Sequence, residues 1–100
     1  MIRHRKAELL IRERVILDDG MIIEIKVWRL LAPIPPAEHP LKYSLFYGRP
    51  GERLVGYDNE RGKGDHRHYG DREERYAFTS IEQLLADFQF DIEALRGGPI

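Results

Sequence analysis

One hundred residues suffice for one domain of ordinary size and leave too little chain for two independent cores, so residues 1–100 are expected to form a single domain. The 16 basic and 17 acidic side chains nearly cancel, which excludes a protein drawn to nucleic acid or to an anionic membrane by its overall field. With no cysteine, disulfides, thiolate nucleophiles and thiolate metal sites are excluded together, and stability must rest on packing or on a partner.

The N-terminus, Met1-Ile2-Arg3-His4-Arg5-Lys6, is a short basic tip expected to fray. No apolar stretch is long enough for a signal peptide or a membrane span, which predicts a cytoplasmic protein with no membrane partner. Residues 7–17 place Leu9, Ile11, Val15 and Leu17 on one face at a period of two, opposite Glu8, Arg12 and Arg14, with Glu13 interrupting. Asp18-Asp19-Gly20 then signals a hairpin turn, because Asp-Gly tolerates the positive φ angles such a turn needs. Residues 21–31 return as a strand with Ile23, Ile25 and Val27 on one face and Glu24 and Lys26 on the other. Trp28 falls with the polar set, where it either covers an edge contact or offers a surface to a partner. Pro33, Pro35, Pro36 and Pro40 make the next connection a stiff loop with little room for catalysis.

Two further strands are expected over residues 42–47 and 53–57, joined by the turn Arg49-Pro50-Gly51-Glu52. Over residues 58–70 the apolar pattern stops, and Gly62, Gly64 and Gly70 interrupt a charged segment that reads as a loop. A short fifth strand is expected at 75–78. Thr79 with Glu82 forms a capping-box signature, after which Ile81, Leu84, Leu85, Phe88, Ile92 and Leu95 recur at helical spacing, with Phe90 off the stripe. Gly97-Gly98-Pro99 ends that helix and leaves 97–100 as a tail. The expected class is α+β: an antiparallel sheet of four to five strands with one C-terminal amphipathic helix packed on one face.

The chemistry-bearing residue types gather in the polar segment. His66 and His68 are two apart, so on an extended chain both rings would lie on one side, with Arg67 on the other. Imidazole as a class suits general acid and base work, and Lys63, Arg61 and Arg67 supply cations for a phosphate. Cleaving RNA without a metal needs little more: a base for the 2′-hydroxyl, an acid for the leaving oxygen and positive charge around the phosphorane. Tyr57, Tyr69 and Tyr76 set aromatic rings near those cations, as in sites for single-stranded RNA. The blander alternatives are a merely solvated loop and tyrosines that rim the core. His66-x-His68 with Asp58, Asp65 or Asp71 also has the spacing of metal ligands, but the surrounding cations oppose a divalent ion, and neither metal nor cofactor is expected. Gly62-x-Gly64 lacks the spacing and the Lys-Ser/Thr pair of a phosphate-binding loop.

The strand Lys42-Tyr43-Ser44-Leu45-Phe46-Tyr47, the string Tyr57-Asp58-Asn59-Glu60-Arg61-Gly62-Lys63-Gly64-Asp65-His66-Arg67-His68 and the C-terminal amphipathic helix together resemble the TumE family of small bacterial toxins from toxin-antitoxin modules. The Tyr-Asp-Asn and Gly-Lys-Gly-x-His-x-His portions are the specific part of that likeness. The resemblance implies a growth-inhibiting toxin of a type II module, neutralised by a cognate antitoxin encoded beside it that carries a helix-turn-helix domain. It carries the family signature onto Tyr57, Asp58, Asn59, Lys63, His66 and His68. By analogy with other toxins of this size, RNA is the expected target and a metal-independent endoribonuclease the expected activity. His66, His68 and Lys63 are then the catalytic candidates, Arg61, Arg67, Tyr57 and Asn59 would bind phosphate or RNA, and Asp58 would orient the turn. The competing expectation is a non-enzymatic protein-interaction module of a regulatory complex, docking through a strand edge or the Trp28 surface. Open sheet edges leave a homodimer as the alternative to a monomer.

Overall fold

The computed structural model describes residues 7–100, so the basic tip expected to fray lies outside the described residues. Six strands run in chain order as an antiparallel meander: β1 (Ala7–Ile16), β2 (Ile22–Leu30), β3 (Leu41–Arg49), β4 (Glu52–Glu60), β5 (Gly64–Tyr69) and β6 (Arg72–Arg75). One helix, α1 (Ile81–Arg96), follows and packs on the sheet over β4. The α+β class and the C-terminal helix are as expected, but the sheet has six strands where four or five were predicted.

The extra strand comes from the segment that reads as a loop. β4 runs on through Asp58 and Asn59 to Glu60, and β5 pairs back along it with Asp58 opposite His66 and Gly56 opposite His68. The period of two is present there but hidden, because both faces carry polar side chains. Gly62 (φ +85) and Gly64 (φ +76) take the left-handed backbone that lets the chain reverse within three residues. β6 is Arg72–Arg75 and not the expected 75–78, since Gly70 (φ +59) turns the chain one strand earlier.

Paired residues share a face, and the registers divide the sheet into two sides. The helix side carries Val27, Tyr43, Leu45, Tyr47, Val55 and Tyr57, which meet Leu84, Phe88 and Ile92 of α1 in one core cluster. Full burial of side chains this size stabilises by roughly 1.5 to 3 kcal/mol each. Leu95, expected on that stripe, is instead 59% exposed. Among the described residues no helix covers the other side of the sheet.

Two local expectations also shift. A bulge in β1 between Leu9 and Ile11 sets Leu9 opposite Trp28 and Ile11 opposite Val27, so Leu9 leaves its predicted companions and joins the open face. The helix N-cap is Ser80, whose Oγ accepts from the Gln83 N–H at 3.0 Å, one residue past the predicted Thr79. Gly97 closes the helix in the left-handed conformation, as expected. Arg96 in the last turn donates through Nη1 to both Asp19 Oδ2 and the Tyr47 hydroxyl, at 2.9 Å each, tying α1 to the β1–β2 turn and to β3.

Candidate functional site on the open face

The open face is where the two imidazoles meet. Because β5 is extended, His66 and His68 project to the same side, away from α1, while Arg67 projects towards it. The β5–β6 hairpin puts Glu73 directly across from His68 and Arg75 across from His66. Glu73 Oε1 lies 3.7 Å from His66 Nε2 and 3.6 Å from Lys63 Nζ, and its Oε2 lies 3.8 Å from His68 Nδ1. On the far side of His68, Asp58 Oδ1 is 3.4 Å from Nε2, and Asp58 Oδ2 is 4.0 Å from Arg53 Nη1.

Local sequence explains how this cluster fits. Gly56, the cross-strand partner of His68, has no side chain, and the stem of Arg53 occupies that space: a Cβ built on Gly56 would stand 2.6 Å from Arg53 Cδ. His68 is thereby only 7% exposed, whereas Glu73 and Lys63 stand at the rim. His66 Nδ1 lies 3.1 Å from the Gly64 carbonyl, which can only accept, so Nδ1 carries the hydrogen and a neutral ring leaves its Nε2 lone pair free. His68 lies between two carboxylates, with Asp58 beyond Nε2 and Glu73 beyond Nδ1.

The remaining candidates divide. Lys63 stands with the histidines, and Arg61 is exposed on the adjoining turn. Arg67 and Tyr57 do not share that face. Arg67 Nε donates to Glu74 at 2.6 Å and its guanidinium lies 5.5 Å from the Tyr69 ring centre, close to Tyr76 as well. Tyr57 is 1% exposed, and its hydroxyl donates to Asp91 of α1, which also accepts from Tyr69 at 2.9 Å. Burial first, and then that carboxylate, holds the Tyr57 phenol well above its ordinary range. Asn59 is buried and occupied: its Oδ1 accepts from Tyr43 N–H at 3.0 Å and its Nδ2 donates to Leu41 O at 2.7 Å, prolonging the β3–β4 ladder with a side chain. These roles follow from strand parity, which a loop reading of the segment could not supply.

Three contributors escaped sequence reasoning. Glu73 became visible only with the β5–β6 hairpin, for which Gly70-Asp71 between two polar runs was the available signal. Arg53 comes into play through the missing side chain of Gly56. His39, in the proline-rich connection, holds Asp65 at 2.8 Å through Nε2, while its Nδ1 accepts from Leu41 N–H at 3.2 Å. Among the described residues no set of three His, Asp or Glu side chains converges in an arrangement that would hold a metal ion. Among them, too, no helix is long and apolar enough to cross a membrane.

No curated protein and no solved structure matches the chain. The family model described as Toxin TumE matches residues 3–96, which spans every strand and the helix and contains the whole cluster on the open face. With that match added to the six-stranded meander and its paired histidines, the chain belongs to the TumE toxin family.

Proposed function

We propose that this toxin-family chain is the toxin of a type II toxin-antitoxin module and acts on RNA as a metal-independent endoribonuclease. The observation that carries the reading is the convergence of His66 and His68 on one sheet face, on either side of Glu73 and bordered by Lys63 and Arg53. His66, with Nδ1 committed to a carbonyl, takes the 2′-hydroxyl proton at Nε2. The 2′-oxygen then bonds to the adjacent phosphorus, giving a pentacoordinate phosphorane whose extra negative charge Lys63 and Arg53 offset. His68 gives a proton to the 5′-oxygen as its bond to phosphorus breaks, leaving a 2′,3′-cyclic phosphate and a 5′-hydroxyl. Glu73 is exposed on a four-residue edge strand, so an entering phosphate can replace it as the partner of Lys63.

Expression should arrest growth and fragment total RNA in the presence of a metal chelator, and His66→Ala or His68→Ala should abolish both while the protein still folds. Growth arrest with intact RNA would contradict the reading. A neighbouring helix-turn-helix protein, co-expressed, should bind the toxin and relieve the arrest.

One observation favours a second reading, an interaction module without catalysis. β1 is exposed over most of its length, apart from Leu10 and Ile11, has no further strand beside it among the described residues, and shows Leu9, Val15 and Ile16 to solvent. Such an edge can accept a strand from a partner. In that case Trp28→Ala, opposite Leu9, should weaken complex formation while the histidine substitutions leave toxicity unchanged.

A further inference from the structure

Beyond the histidine cluster, the end of β5 carries a second concentration of chemistry. Asp65 Oδ1 accepts two hydrogen bonds, from Tyr43 Oη at 2.6 Å and from His39 Nε2 at 2.8 Å. Its other oxygen, Oδ2, accepts none among the described residues. As no fully buried side-chain oxygen is left without a partner there, Oδ2 keeps some contact with solvent. Asp65 lines a groove of about 390 Å³ together with Pro36, His39, Tyr76 and Phe78. The Phe78 ring lies 4.0 Å from the His39 ring centre and 5.6 Å from that of Tyr43, so an aromatic stack forms one wall.

The groove lies on the helix side of the sheet, opposite the face of His66 and His68, and reaches the edge beside them through a second hollow. A smaller hollow of about 210 Å³ shares Pro36, Asp65 and Tyr76 with it and is lined on its other side by Lys63 and Arg75. Lys63 is the residue that contacts Glu73 beside His66, and Arg75 lies across the ladder from His66. The wall is fixed in place: Gly62 N–H donates to Pro35 O at 3.0 Å, and Pro36 packs on Gly64, where a Cβ would stand 3.1 Å from its ring. A cationic rim at the sheet edge, an aromatic wall and a carboxylate with one unpaired oxygen thus follow one another from Lys63 and Arg75.

Resting on the ribonuclease reading above, we infer that this groove is the base-binding subsite next to the scissile phosphate, with Phe78 stacking the base, Lys63 and Arg75 holding its phosphate and Asp65 Oδ2 accepting from an amino group on its pairing edge. A carboxylate accepts and never donates, so it suits adenine, cytosine or guanine. Uracil offers one N–H flanked by two carbonyl oxygens, which a carboxylate repels. Stacking on an aromatic wall accepts any base, so the preference rests on Asp65 and the general affinity on Phe78.

The test uses the full-length protein and four non-cleavable 2′-O-methyl homo-oligonucleotides, with binding read by fluorescence anisotropy alongside cleavage of ordinary RNA. The wild type should bind the oligomers of A, C and G at least about fivefold tighter than that of U. Asp65→Asn, whose amide can also donate, should remove or reverse that difference. Phe78→Leu should weaken all four by about 5- to 100-fold without changing their order. A wild type that cleaves RNA but binds the four oligomers equally overturns the inference and leaves the ribonuclease reading standing, and so does a folded Asp65→Asn protein that keeps the preference. A wild type that neither cleaves RNA nor binds any oligomer overturns both. Should Asp65→Asn not fold, the wild-type comparison alone decides.

Discussion

Glu73 faces His68 across the β5–β6 ladder, with its Oε2 3.8 Å from His68 Nδ1, while its Oε1 reaches towards His66 and Lys63. One carboxylate on an edge strand therefore occupies the space between the two imidazoles and the nearest lysine. In the free protein it offsets the charge of Lys63, and in the proposed complex it gives way to phosphate. Glu73→Gln keeps the shape and removes the charge, so affinity for single-stranded RNA should rise by about 3- to 10-fold at low salt. Anisotropy titrations at two salt concentrations check this, and a weaker complex would mean that Glu73 helps to hold the RNA.

Asn59 illustrates a signature residue whose geometry is structural. Its side chain satisfies Tyr43 N–H and Leu41 O, and removing it strands both groups near the core. Asn59→Ala should lower unfolding free energy by about 2 to 6 kcal/mol in urea titrations, at about 1 to 3 kcal/mol for each unsatisfied group. Cleavage per folded molecule should stay within about twofold of wild type.

How much of this was legible in the sequence depends on which face a strand shows. β2 and β3 were read correctly because one side is apolar and the other polar, as with Ile23, Ile25 and Val27 against Glu24 and Lys26. β5 was missed because its helix side carries Asp65, Arg67 and Tyr69, which satisfy their polar groups on α1, β6 and the 31–40 loop and leave no hydrophobic alternation to find. The pairing of His66 with His68 on one side was foreseen only on the condition of an extended chain, and the hairpin turn at Gly62 meets that condition. Arg67 and Tyr57 were grouped with the histidines by closeness in sequence, yet alternation sends them through the sheet. His39 gave no signal, since its partner Asp65 is 26 positions away.

Alkaline pH probes the polar seam between sheet and helix. The phenols of Tyr43, Tyr57 and Tyr76 are all held above their ordinary value near 10, chiefly by burial and next by the carboxylates of Asp65, Asp91 and Asp87 that accept from them. A group whose pKa rises on folding binds its proton more tightly in the native state, so its contribution is complete below the ordinary value and is lost as pH climbs above it. Unfolding free energy should therefore fall steeply above about pH 10. Tyr57→Phe should cost about 1 to 3 kcal/mol at neutral pH and make that decline shallower, as followed by chemical denaturation across the range.

Gly56 makes room for Arg53 beside His68, and a Cβ there would stand 2.6 Å from Arg53 Cδ. Gly56→Ala should displace the arginine while changing stability by less than about 1 kcal/mol, since alanine otherwise suits a strand at least as well. Cleavage should fall by about 10-fold if Arg53 offsets phosphorane charge. An unchanged rate would remove Arg53 from the mechanism.

The central claim, that His66 and His68 divide base and acid work, is tested most directly by single-turnover cleavage of a short RNA as a function of pH. The wild type should give a bell-shaped profile, a single 2′-deoxy substitution at the scissile nucleotide should abolish cleavage, and the residual activity of His66→Ala and of His68→Ala should each lack a different limb of the bell. Cleavage that survives the 2′-deoxy substitution, or identical profiles for both variants and the wild type, would contradict it.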